Sequence, residues 1–173
     1  MIIRVSEIPE EGVQVEGAAS LSHPFAEPTW RLEALSLHVE KDGEVVSVRG
    51  GLQARVPLVC GRCLEPFDMI LAPVVDARLL PAVTDRQRGP VEHELAADDL
   101  ETDVYAHDRL DLGVVVETET TLGLPMKPLC REGCRGLCPI CGSNRNLTTC
   151  ACEESSRDPR WAPLKKLAER LSR

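Results

Sequence analysis

Hydrophobic and polar residues alternate with a period of two over three stretches in the first half of the chain. In residues 31–39 (RLEALSLHV), Leu32, Ala34, Ser36 and His38 alternate with Glu33, Leu35, Leu37 and Val39, the pattern of a strand with one buried face. Asp42-Gly43 follows, a favoured pair for a tight hairpin turn. Residues 44–59 (EVVSVRGGLQARVPLV) continue with β-branched Val46, Val48 and Val56, and Gly50-Gly51 marks a bulge or bend. Residues 67–80 (FDMILAPVVDARLL) supply a third strand pattern. Joined by short turns, the three predict an antiparallel β-meander. Residues 2–5 (IIRV) predict a short strand, and residues 6–28 are irregular apart from a brief Val13-x-Val15 alternation.

The period changes in the second half. Residues 81–104 are acidic and polar with two prolines and read as a mobile surface loop. In residues 111–124 (DLGVVVETETTLGL), Leu112, Val115, Val116, Glu119 and Leu122 follow helical spacing, with Asp111 as N-cap and Pro125 as stop. The Val and Thr content would equally suit a strand; helix is the reading adopted. Asp158-Pro159 opens a final helix, with Trp161, Leu164, Ala168 and Leu171 on one face and Lys165, Lys166, Glu169 and Arg170 on the other. The expectation is an α+β protein: an antiparallel β-meander with a few helices and a C-terminal cysteine-rich zinc module. Residues 1–129 would form the β-rich body with its acidic loop, and residues 130–173 the zinc module and a C-terminal helix packed on that body.

Eight cysteines change this picture most. They fall into four close pairs: Cys60-x2-Cys63, Cys130-x3-Cys134, Cys138-x2-Cys141 and Cys150-x-Cys152. A tight turn that carries two thiolates aims both at one tetrahedral ion, and eight thiolates complete two four-sulfur shells. Disulfides fit less well. MIIRVSEIPEEG shows no secretory pattern, no run reaches the roughly 18 apolar residues of a membrane span, and a bridge across two residues would gain little entropy. The expectation is therefore a cytoplasmic protein whose thiols stay reduced and hold two zinc ions. In Cys138-Pro139-Ile140-Cys141-Gly142, proline stiffens the turn and glycine permits a left-handed backbone. Cys60, Cys63, Cys130 and Cys134 are assigned to one ion, and Cys138, Cys141, Cys150 and Cys152 to the other, because the last four form a self-contained module. The rival arrangement groups Cys130 through Cys141.

Charge and composition narrow the partner. Net charge is −8, yet residues 125–173 hold ten basic residues against five acidic ones, and residues 1–124 hold ten against 23. A basic tail on an acidic body suits an anionic partner, with Arg131, Arg135, Arg145, Lys165, Lys166 and Arg170 as candidate contacts; an ordinary solvated surface would carry similar charges. Aromatics are only 3%, too few for a platform that stacks single-stranded bases. The four histidines are scattered, there is no P-loop, GxGxxG or GxSxG, and two closed sulfur shells leave no open coordination position. No enzyme activity and no small-molecule substrate are expected.

VPLVCGRCLEPF, RLDLGVVVETETTLGLPMKPLC, and CREGCRGLCPICGSNRNLTTCACEE followed by DPRWAPLKKL together resemble the YceD family, the large ribosomal RNA subunit accumulation proteins. The resemblance covers most of residues 45–170. It implies a cytosolic, non-enzymatic protein of ribosome biogenesis whose partner is a large-subunit ribosomal RNA precursor or a ribosomal or assembly protein, with no membrane involved. It also implies that the two metal sites are separable, since some members lack the final two cysteine pairs yet retain the first CxxC. Three other readings stay open: a thiol oxidoreductase using Cys60-x2-Cys63, although that motif normally opens a helix; an iron–sulfur protein; and a zinc-ribbon regulator that binds duplex nucleic acid.

Overall fold

The computed structural model describes residues 1–82 and 102–152. The chain divides into two units: Met1–Leu58 with Pro66–Pro128, and Val59–Glu65 with the chain from Leu129 onward.

The first unit is built on a six-stranded sheet. β1 (Ile2–Arg4) stands apart and pairs with β8 (Arg109–Asp111). The main sheet runs β2 (Val13–Glu16), β3 (Arg31–Asp42), β4 (Val45–Val59), β6 (Val74–Pro81), β7 (Thr102–Tyr105), with β5 (Pro66–Leu71) also on β4. All pairings with a recorded register are antiparallel except β6 with β7, which is parallel. The expected meander is therefore corrected to a mixed sheet. The break comes at Ala72-Pro73, which divides residues 67–80 into two strands; proline cannot donate to a ladder, so it sits between strands. Of the loop expected over 81–104, Pro81 belongs to β6 and Thr102–Val104 to β7; residues 83–101 lie outside the described residues.

Period-two burial explains the sheet. Leu35, Leu37 and Val39 of β3, Val46, Val48, Leu52, Ala54 and Val56 of β4, and Val75, Ala77 and Leu79 of β6 form the buried face, each large side chain contributing about 1.5–3 kcal/mol. The β3–β4 hairpin closes at Asp42↔Val45 around Gly43 and Glu44, one residue later than the Asp42-Gly43 signal. The bulge expected at Gly50-Gly51 lies instead in β3, between Leu32 and Ala34. Gly50 has another role: a Cβ there would lie 2.0 Å from the Ser36 carbonyl oxygen, so only glycine permits this close approach of β4 to β3.

The single α-helix among the described residues, α1 (Leu112–Leu122), starts where the sequence places it, with the Asp111 carboxylate accepting from Gly113 N at 2.9 Å. Its buried residues are Leu112, Val115, Val116 and Thr120, while Leu122 is exposed. Thr120 is tolerated inside because its hydroxyl donates to the Val116 carbonyl. No described helix is long and apolar enough to cross a membrane. The final helix expected from Asp158 lies outside the described residues, with Lys165, Lys166 and Arg170.

Candidate metal centres

The second unit is organised by two turns with the same hydrogen bonds. In Cys60–Glu65, Leu64 N donates to Cys60 O at 3.0 Å and Cys60 N to Glu65 O at 3.0 Å. In Cys138–Ser143, Gly142 N donates to Cys138 O at 2.9 Å and Cys138 N to Ser143 O at 2.8 Å. Each turn needs a left-handed residue directly after its second cysteine, Leu64 at φ 60° and Gly142 at φ 71°. The glycine is what that geometry favours; the leucine carries a Cβ into a region costing roughly 1–2 kcal/mol.

These turns bring the eight thiols into two quartets: Cys60, Cys63, Cys130 and Cys134, and Cys138, Cys141, Cys150 and Cys152. This is the grouping assigned from the sequence, and the rival Cys130–Cys141 set does not form. All eight are free thiols. In the first quartet Cys60 and Cys134 sulfurs are 3.8 Å apart and Cys63 and Cys130 sulfurs 3.7 Å apart. Four ligands at the ~2.3 Å zinc–sulfur bond length stand about 3.8 Å from one another on a tetrahedron, whereas a disulfide needs about 2.05 Å. The donor set and its spacing therefore fit one tetrahedral ion. The sulfurs of the second quartet likewise all lie within 4.8 Å of one another.

The thiols of each quartet differ in how readily they ionise. Backbone N–H groups of Cys130 and Cys63 lower the Cys60 thiol to about 6, while burial and the neighbouring Cys134 and Cys60 push Cys130 up to about 12. In the second quartet the Ser143 hydroxyl and backbone lower Cys141 to about 6, while Cys141 itself and burial push Cys152 up to about 12. Close thiolates repel, so some ionise only when others stay protonated. A bound dication would remove that conflict and hold all four as thiolates.

Around the first quartet lies a polar frame that the motif did not reveal. Arg62, inside the first pair, donates to the Glu132 and Cys134 carbonyls at 3.2 and 3.1 Å, and Leu137 N returns to Arg62 O at 3.0 Å. Gly136, at φ 69°, lies so close to this turn that a Cβ would sit 2.9 Å from Arg62 O. Asn146 Nδ2 donates to the Cys134 sulfur at 3.3 Å, and its Oδ1 accepts from the Arg131 guanidinium and the Arg135 backbone, both at 2.9 Å. Asn144 Nδ2 donates to Glu65 at 3.1 Å. Such donors fix the ligands and stabilise the thiolate charge. Two asparagines in a loop read as turn formers, so only their converging bonds expose this role.

Of the candidate partner contacts, Arg131 is thus tied to Asn146, whereas Arg135 and Arg145 line one cavity with Thr148, Thr149 and Cys150.

Comparison with known proteins places the chain. Residues 48–168 match the family described as "Large ribosomal RNA subunit accumulation protein YceD". Proteins from Mycobacterium bovis and from two strains of Mycobacterium tuberculosis, each described as uncharacterized, are 34% identical over 136 residues, covering 75% of this chain and 59% of theirs. The chain thus spans less than two thirds of the length of these relatives. No solved structure matches. With the family matched over most of its length, including both cysteine-pair regions, the chain belongs to the YceD family.

Proposed function

We propose that this chain is a non-enzymatic, zinc-stabilised protein of the cytoplasm that supports accumulation of large-subunit ribosomal RNA by binding a precursor particle through its cysteine-rich unit. The observation that carries the reading is the pair of four-thiol quartets, one spaced for a single tetrahedral ion, in a chain of this family. Zinc is favoured because an all-thiolate tetrahedral set with no open position is a structural zinc site. An iron–sulfur cluster would place several atoms between the thiolates and needs a wider quartet. Thiol exchange at Cys60-x2-Cys63 is disfavoured, since both thiols are buried and the pair follows a strand, where no helix terminus assists the attacking thiol.

Native mass spectrometry of the purified chain should show two zinc ions. Depletion of the protein should lower mature large-subunit RNA relative to small-subunit RNA, and re-expression should restore the ratio. A metal-free reduced protein would overturn the zinc assignment; an unchanged RNA ratio would overturn the role.

A further inference from the structure

We propose that Arg135, Arg145 and Thr149 form a binding site for an RNA phosphodiester, so that the cysteine-rich unit grips backbone and not bases. This deepens the proposed function and rests on it for the identity of the particle. The four arginines in the described part of the unit divide by what their guanidinium groups do. Arg62 is held on the Glu132 and Cys134 carbonyls, and Arg131 on Asn146. Arg135 and Arg145 are anchored only through backbone, by Arg135 N to Asn146 Oδ1 and Arg145 N to Gly136 O, both at 2.9 Å. Among the described residues neither guanidinium meets a carboxylate or any other acceptor.

Both arginines line one cavity of about 320 Å3 with Thr148, Thr149 and Cys150. The Thr148 hydroxyl already donates to Asn144 O at 3.3 Å; that of Thr149 has no partner among the described residues. Two guanidinium groups and a hydroxyl are donors without acceptors of their own, which selects an oxyanion. Their backbones are pinned by the Leu137↔Asn144 bridge and by Asn146, so little ordering is lost on binding.

Two features choose the phosphodiester. Cys150, in the wall of the cavity, belongs to a quartet that stays net negative even around a dication, which disfavours the second charge of a free phosphate dianion. The described residues of this unit contain no Phe, Trp or Tyr, so among them no aromatic ring offers a base a platform, and contacts to the phosphodiester carry no sequence information directly.

The test uses the intact zinc-loaded chain and a fluorescent uridine oligonucleotide, titrated at salt from about 50 to 200 mM. Binding is expected to weaken with salt, and R135Q/R145Q should lower affinity about tenfold or more and reduce the slope of log K against log salt by about 1.4, two single-strand contacts' worth. Native mass spectrometry should still count two metals in that variant, and T149V should weaken binding with the slope kept. Inorganic phosphate should compete poorly. No oligonucleotide binding by the wild type, an unchanged slope in the double variant, or displacement by millimolar inorganic phosphate would each overturn the site. Co-sedimentation of wild type with large-subunit precursors, measured alongside, separates the two claims: if it persists while the oligonucleotide is not bound, the particle reading stands and the phosphodiester site falls.

Discussion

The two cysteine turns share a backbone and differ in their surroundings. Both close with the same pair of hydrogen bonds and a left-handed residue after the second cysteine. Yet in the first quartet Cys60, Cys63 and Cys134 are buried, at 0%, 3% and 4% exposure, whereas in the second only Cys138 is, and Cys141 and Cys152 are exposed. The first quartet also joins chain segments separated by more than 60 residues, and Arg62 and Asn146 brace it; the second closes within residues 138–152. Identical local chemistry thus serves one quartet that closes a long-range loop and another whose thiols are partly open to solvent. Loop closure over a long segment is the larger entropic task, and it falls to the buried quartet.

The largest expected effect comes from removing ligands. Cys60→Ser should eliminate one metal and, with it, binding free energy on the order of 10 kcal/mol coupled to folding; hydrogen exchange should show protection lost across residues 59–65 and 129–137. Cys152→Ser should also lose one metal but leave that protection intact. Equal collapse in both variants would erase the distinction between the quartets.

Metal removal from the unmodified protein should be biphasic. A chelator is expected to strip the exposed quartet faster by about tenfold or more, a factor requiring only ~1.4 kcal/mol less opening free energy. Alkylation followed by peptide mass mapping should find Cys141 and Cys152 labelled first and Cys60 last. A single phase, or Cys60 among the first labelled, would count against the burial argument.

Asn146→Ala removes the donor to the Cys134 sulfur and should weaken the first site's metal affinity by about 10- to 100-fold, with the second site unchanged in competition titrations. Equal weakening of both sites would show that Asn146 braces the whole unit and not one quartet.

The smallest effect lies in the left-handed residues. Leu64 is 61% exposed at φ 60°, so Leu64→Gly loses little burial and relieves strain; a gain of about 0.5–1 kcal/mol is expected. Gly142→Ala should change stability in the opposite sense by a similar amount. Thermal melts at fixed zinc check both, and a destabilised Leu64→Gly would show that the leucine side chain makes a contribution its exposure hides.

The sequence by itself determined everything that follows from local spacing. Four close cysteine pairs pointed to two four-thiol sets, because a short turn aims both its sulfurs one way, but which pairs share a set was settled only where the fold brings Cys60 and Cys63 to Cys130 and Cys134. Asp111 marked the start of α1, and the Val-rich alternation of β3 and β4 marked the buried face, since side-chain direction in these elements follows a fixed period. Tertiary structure decided what depends on residues distant in sequence. Period-two patterning is the same for parallel and antiparallel neighbours, so nothing in β6 announced that β7 would lie parallel to it. Gly50 looked like a bulge because sequence shows a glycine but not the Ser36 carbonyl pressed against it. Thr120, one turn after Val116, is buried where the sequence suggested Leu122, and its hydroxyl is satisfied by the Val116 carbonyl. Equal cysteine motifs likewise carry no record of burial, which is set by what packs around them, and the sorting of arginines into braces and free donors rests on hydrogen bonds to Asn146 and to carbonyls that only the folded chain brings within reach.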